Sequence, residues 1–171
     1  MAGPVGKAEI EILDKARHDR AGFRCGVVEL DGYLHRQAAQ DQERRAAVVY
    51  VATYSAPEVA GFYTLSQFTL ELTDLPEGIA KRLARYPLVS ATLIGRLAVA
   101  EQWQGRGLGR DLLFDALWRA LGQSRFIASA GVVVDAKDAQ AASFYRKYGF
   151  AAVLGTERRL FLAMRTVEGM F

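Results

Sequence analysis

The sequence predicts one α/β (or α+β) domain, and three observations carry that expectation. Short apolar or β-branched runs recur at 46–53, 59–72, 91–99 and 127–135. Segments of helical periodicity lie between or after them, at 28–43, 108–122 and 138–147. The order in which the two kinds of segment mix packs helices against a sheet around one core. The chain has 171 residues, enough to bury a sizeable core and few enough for one domain, so the whole of 1–171 is expected to form it.

The elements follow in order. Ile10 and Ile12 alternate with charged neighbours, which predicts a short first strand over 9–13. Asp14 to Cys25 is polar and carries Gly22, and reads as loop or short helix. Leu30, Leu34 and Ala38 then set a helical face within 28–43. Val48-Val49-Tyr50-Val51 is β-branched and aromatic, as in a strand. Ser55-Ala56-Pro57 marks a turn. Strand character resumes over 59–72, with Gly61, Tyr63 and Leu65 on one side. Leu75-Pro76-Glu77 breaks it and opens a short helix ending near Tyr86-Pro87. Val132-Val133-Val134 predicts a strand buried on both faces. Asp138 is placed to cap a helix running through Lys147, with Gly149 just past its end. A last strand is expected over 158–166.

Composition excludes several classes. No apolar run reaches the length of a membrane span, and Lys7, Glu9 and Glu11 interrupt any leader-like pattern. One cysteine, Cys25, permits no internal disulfide and fits a reducing, cytoplasmic compartment. Cys25 reads as a bystander, because neither His18 nor His35 makes a convincing partner. So few soft ligands argue against a metal site. The net charge of +3 and pI of about 9.1 favour an anionic partner without specifying one.

The most informative stretch is Gln104-Gly105-Arg106-Gly107-Leu108-Gly109, between the run Thr92–Val99 and the helix at 108–122. Alternate glycines let the backbone amides of such a turn approach a ligand. Those amides, with the helix dipole behind them, suit a pyrophosphate. No Lys-Ser or Lys-Thr follows, so the turn is not a Walker loop. Arg106 and Arg110 place cations where a helix start prefers acids, which makes sense if an anion joins them.

Arg96-Leu97-Ala98-Val99 followed by Gln104-x-x-Gly107-x-Gly109 resembles the acetyl-CoA motif of the GNAT N-acetyltransferases. The resemblance continues through Asp135-Ala136-Lys137-Asp138 and Ala142-x-Phe144-Tyr145-x-x-x-Gly149-Phe150. It implies the GNAT acyl-CoA N-acyltransferase fold, a central mixed twisted sheet flanked by helices and splayed to admit the pantetheine arm. It also implies acetyl-CoA as donor. The backbone of Leu97, Ala98 and Val99 would line the pantetheine. The loop Gln104, Gly105, Arg106, Gly107, Leu108, Gly109 and Arg110 would hold the pyrophosphate. Asp135, Ala142 and Tyr145 would complete the cofactor site.

Acetyl transfer needs a neutral amine beside the thioester and a proton for the departing thiolate. Tyr145 stands where the family commonly places a tyrosine near the sulfur, and a phenol with pKa near 10 stays protonated at neutral pH. Packing beside Phe144 and Phe150 is its alternative role. No carboxylate occurs from Leu93 through Val99, where many family members carry a glutamate base. A lysine amine is only about 0.1% neutral near pH 7.4, whereas an α-amine is roughly 20–33% neutral. The absence therefore points to an α-amine acceptor, unless Glu101 or Asp135 supplies a base.

Phe23-Arg24-Cys25-Gly26, Leu30-Asp31-x-Tyr33-Leu34, Ala38-x-x-Asp41, Gly61-Phe62-Tyr63-Thr64-Leu65-Ser66 and Arg85-Tyr86-Pro87 are similar to a GNAT subfamily. That subfamily includes toxins that acetylate the α-amine of aminoacyl-tRNA. The resemblance implies an aminoacyl-tRNA acceptor, a ribbon-helix-helix antitoxin and a homodimer. Arg44, Arg45, Lys81, Arg82, Arg85 and Arg96 are the cations that could meet RNA phosphates. Two other readings stay open: a GNAT transferase acting on a small-molecule or protein amine, and a non-catalytic acyl-CoA-binding module.

Overall fold

The computed structural model describes residues 6–171. Seven strands form a mixed sheet in the order β1-β2-β3-β4-β5-β7-β6. They are β1 (Glu9–Ile12), β2 (Val48–Thr53), β3 (Gly61–Glu71), β4 (Leu88–Val99), β5 (Gly131–Asp135), β6 (Ala151–Ala152) and β7 (Arg159–Ala163). The helices are α1 (Val28–Arg36), α2 (Ala38–Glu43), α3 (Glu77–Ala80), α4 (Leu108–Gln123), α5 (Ala139–Lys147) and α6 (Met164–Glu168). The chain clusters into two compact units. One comprises the residues up to Leu65 with Arg96–Ala116; the other comprises Ser66–Gly95 with Leu117–Phe171.

In the first unit, β1 pairs antiparallel with β2, and β2 with β3. The register sets Tyr50 opposite Tyr63, and their rings stack at 5.0 Å. Phe23, Leu34, Ala38, Val49, Val51 and Phe62 fill the core beneath. Gly61 lets β3 and α4 approach closely: a Cβ there would lie 2.9 Å from Leu112 Cδ1 and 3.0 Å from the Ala98 carbonyl. Along α4, Leu108, Leu112, Leu113 and Ala116 are buried in this unit, and Leu117 and Ala120, which belong to the other, are buried too, the face that the helical spacing predicts. Each buried leucine contributes about 1.5–3 kcal/mol.

In the second unit, β4 and β5 run parallel, with Thr92 to Ile94 opposite Val132 to Val134. Those three valines have no exposed surface, as a strand covered on both faces requires. α5 is delimited as its sequence predicts. The Asp138 carboxylate accepts from the Ala141 amide at 2.8 Å, and Gly149 (φ +98°) follows the C-cap Tyr148.

Several expectations are corrected. The helix expected over 28–43 is two, because α1 closes at Gln37, whose φ of −121° is not helical. The helix expected to reach Tyr86 stops at Ala80; a turn carries the chain on to Leu83, which packs against the core, and Ala84 to Pro87 are exposed. The strand expected from Ile127 starts at Gly131. Phe126 and Ile127 instead leave α4 in a turn, each amide bonding the Gln123 carbonyl. The last strand ends at Ala163, and Met164 and Val167 are buried one helical turn apart in α6. Gly61 to Thr64 are all buried, so both faces of β3 are covered over that stretch.

Candidate functional site

The head of α4 is built to receive a ligand. Gly105 (φ +75°) and Gly107 (φ +85°) adopt the left-handed backbone that glycine tolerates. A Cβ on either would meet nothing within 4 Å, so the concave side of the turn is open. The Gly107 carbonyl accepts the first helical bond, from Asp111 at 3.1 Å. The amides from Gly105 to Arg110 find no acceptor among the described residues. Gly107 has no side chain with which to cap them. Six successive donors at the positive end of a sixteen-residue helix fit a pyrophosphate. Arg106 leans over the Trp103 ring at 5.3 Å, and Arg110 pairs at 3.6 Å with Asp111.

Gln104 has an internal task. Its side-chain amide donates to the Cys25 and Val99 carbonyls, both at 2.9 Å. It thus ties the start of the turn to the end of β4 and leaves the backbone of the turn free. Sequence reasoning had assigned this side chain only to the cofactor.

The end of β4 offers a second row of donors. Pairing with β5 covers Thr92 to Ile94, and β4 runs on five residues further, to Val99. The Arg96 amide bonds Thr64 Oγ1 at 3.1 Å and the Ala100 amide bonds the Ala60 carbonyl at 2.8 Å, both on the β3 side. Amide direction alternates along a strand, so Leu97 and Val99 face the opposite edge. The Ala98 side chain is buried between them. These amides and the α4 head belong to one compact unit.

Tyr145, Ala142 and Asp135 belong to the other unit. Tyr145 is 6% exposed, with its ring edge-on to Phe144 at 5.2 Å and Phe150 at 5.6 Å. Burial pushes its phenol well above the ordinary value, so it keeps its proton throughout the neutral range. No described residue hydrogen-bonds its hydroxyl. No sealed side-chain polar atom among the described residues lacks a partner, so this oxygen retains access to the surface. Ala142 is buried in α5, its amide bonded to the Asp138 carbonyl at 3.0 Å. Asp135 forms a two-point ion pair with Arg159, at 2.7 and 3.1 Å. Glu101 lines a cleft with Asp19, Arg24 and Glu58.

Cys25 lies in the core of the first unit, with its amide bonded to the buried Asp31 at 2.8 Å. Arg44, Arg45, Lys81, Arg82 and Arg85 are exposed. Arg96 differs from them: it is half-buried, and its guanidinium lies 3.7 Å from the centre of the Tyr33 ring. The Tyr33 hydroxyl donates to Asp41 at 2.9 Å. Burial and Asp41 together push that phenol up to about 12. In the sequence, Tyr33 and Asp41 stand out only as part of the family-like pattern. No local signal links them to an arginine so far along the chain.

Comparison with known proteins adds to this geometry. The acetyltransferase (GNAT) domain family matches residues 45–152. A probable toxin TacT of Sinorhizobium fredii is 30% identical over 174 residues, covering 97% of this chain and 96% of that protein. A tRNA-acetylating toxin of Mycobacterium tuberculosis is 31% identical over 152 residues, covering 89% and 90%. Among solved structures, AtaT complexed with acetyl-methionyl-tRNAfMet gives a TM-score of 0.88 at 27% identity, covering 96% of this chain and 99% of that one. AtaTR bound with acetyl-CoA gives 0.83 at 28% identity, covering 95% and 97%. A tyrosine-to-phenylalanine variant of AtaT, bound to the C-terminus of the antitoxin AtaR, gives 0.81 at 25% identity, covering 96% and 98%.

Proposed function

Because this chain belongs to the GNAT acetyltransferase family, we propose that it moves acetyl from acetyl-CoA to the α-amine of aminoacyl-tRNA, and so acts as a translation-blocking toxin. The observation that carries the donor half of this reading is the uncapped head of α4, where six amides from Gly105 to Arg110 await an acceptor. They would hold the pyrophosphate, and the edge amides of Leu97 and Val99 would hold the pantetheine arm. When bound, acetyl-CoA supplies the thioester carbonyl that the amine attacks.

The acceptor half rests on two supports. β4 carries no carboxylate from Leu93 to Val99, and Asp135 is committed to Arg159. Glu101, exposed just past the strand, is the remaining carboxylate that could serve as a base; an α-amine acceptor loses its proton without that help. The second support is similarity to a tRNA-acetylating toxin and to AtaT complexed with acetyl-methionyl-tRNAfMet. Tyr145 holds a proton on its hydroxyl oxygen and gives it to the departing thiolate.

Residues 1–171 would act as one transferase domain. An antitoxin is proposed as partner by analogy with AtaT bound to the C-terminus of AtaR; its ribbon-helix-helix type and a second copy of the chain are proposed from the family resemblance alone. The compartment proposed is the cytoplasm, where charged tRNA is found; no helix of the described residues is long and apolar enough to cross a membrane.

Incubation with labelled acetyl-CoA and a total pool of charged tRNA tests the acceptor. Label released with the amino acid after mild ester hydrolysis is the expected result. Absence of label, from protein that binds acetyl-CoA, would overturn the tRNA acceptor and favour a small-molecule or protein amine.

A further inference from the structure

A half-buried arginine normally has a carboxylate or carbonyl partner, because removing part of its hydration must be compensated. Among the described residues, the half-buried Arg159 has Asp135, Arg119 has a partner, and Arg20 has the charge of Glu43 near it. The Arg96 guanidinium has neither a hydrogen-bond acceptor nor an ion pair among the described residues. It has the face of Tyr33, at 3.7 Å. The stacking fixes the guanidinium plane and leaves its five donors uncommitted. Donation from the Tyr33 hydroxyl to Asp41, at 2.9 Å, anchors the ring and makes its face more electron-rich.

The place of Arg96 on β4 narrows what it meets. It directly precedes Leu97, whose amide faces the strand's free edge. Stepping back from Val99 to Arg96 moves about 10 Å along the strand, away from the turn that leads into α4. The cofactor's pyrophosphate has its own donors there, from Gly105 to Arg110. An anion at Arg96 therefore belongs to the acceptor side. A free amino acid would bring a carboxylate there, and a nucleic acid, the acceptor proposed above, brings a phosphodiester near its 3′ end.

We propose that Arg96, held flat on Tyr33, binds a backbone phosphate of the RNA acceptor beside the reacting end of β4, with Tyr33 and Asp41 as its positioning residues. The inference rests on the aminoacyl-tRNA reading and adds the residue that would engage the acceptor's backbone. A planar guanidinium offers two parallel donors to phosphate oxygens, which a lysine ammonium does not.

The test uses the full chain and a deacylated RNA hairpin with a single-stranded 3′ end, titrated at several salt concentrations. Arg96→Met keeps the apolar stem and removes the charge. It should weaken hairpin binding roughly tenfold and lower the slope of log affinity on log salt by about 0.7–0.9, the signature of one phosphate contact. The dissociation constant for acetyl-CoA should stay unchanged. Arg96→Lys should keep the salt slope and recover only part of the affinity, an effect that loss of packing alone would not produce. Hairpin binding by Arg96→Met at wild-type affinity and slope would overturn the proposal. So would a loss of acetyl-CoA affinity matching the loss for RNA. Transfer to charged tRNA by the unaltered protein reads the acceptor separately: its failure with Arg96-dependent hairpin binding intact removes the α-amine acceptor and leaves the phosphate site.

Discussion

The two helices that carry the motif residues begin in opposite ways. α5 is closed by its own sequence: the Asp138 carboxylate takes the Ala141 amide at 2.8 Å. α4 is left open: glycine precedes its first residue, and the amides from Gly105 to Arg110 have no acceptor among the described residues. An acidic side chain would have stabilised the α4 head by about 0.3–1 kcal/mol through the helix dipole. The chain puts glycine at the cap and Arg106 and Arg110 beside it, and the one acid of the first turn, Asp111, pairs with Arg110 at 3.6 Å. A helix start that forgoes its cap and adds cations has been kept for an anion from outside. A helix start that supplies its own acceptor has been kept for rigidity, which suits α5, since it holds Tyr145.

The sharpest way to break the contrast is to put a carboxylate at the open head. Gly107→Glu adds bulk and negative charge where phosphate would sit, on a residue whose φ of +85° disfavours any side chain. We expect acetyl-CoA binding to be lost in calorimetry while the fold persists, since the loop is exposed. Binding that survives would place the cofactor elsewhere. The next largest effect should come from the closed helix. Tyr145→Phe keeps the buried ring and removes the hydroxyl. Turnover should fall about 10²-fold or more, with acetyl-CoA affinity unchanged; undiminished turnover would remove Tyr145 from the chemistry. The pH profile of the unaltered enzyme sharpens this. Burial raises the Tyr145 phenol above its ordinary value, so the proton donor is retained as pH rises, while an α-amine acceptor becomes neutral. The rate at low acceptor concentration should climb about tenfold across the α-amine pKa of about 8 and show no fall below about pH 10.

The contrast between the helix heads was legible because both rest on local chemistry. Three alternate glycines and a missing capping side chain can be read from 104–110, and Asp138 and Gly149 bracket α5 within its own segment. The apolar face of α4 was legible from its spacing. What was not legible depends on distant partners. Arg96 is a plain cation in the sequence, and only the fold stacks it on Tyr33. Asp135 looks available until β7 brings Arg159 opposite it. Met164 and Val167 continue an apolar run that reads equally as strand; the Met164 amide bonds the Ala130 carbonyl, and the chain turns into α6 there. At Ile127 the apolar signal misleads because the side chain is exposed, at 57%.

The smallest expected effect tests the closed head. Asp138→Ala removes the acceptor for the Ala141 amide and leaves that donor without its cap. The cost should be about 1 kcal/mol of stability, read as a lower denaturant midpoint with an unchanged slope. Acetyl-CoA affinity at the α4 head should not move, because the carboxylate serves its own helix. If α5 frays enough to loosen the Tyr145 ring between Phe144 and Phe150, turnover will fall while binding holds. The residual rate should then recover with Asp138→Ser or Asp138→Asn, which restore a cap without restoring the charge. Recovery by both variants would assign the cap to holding α5 in place. Recovery by neither would mean that the charge itself is needed, and the two helix heads would no longer divide the work between ligand and scaffold.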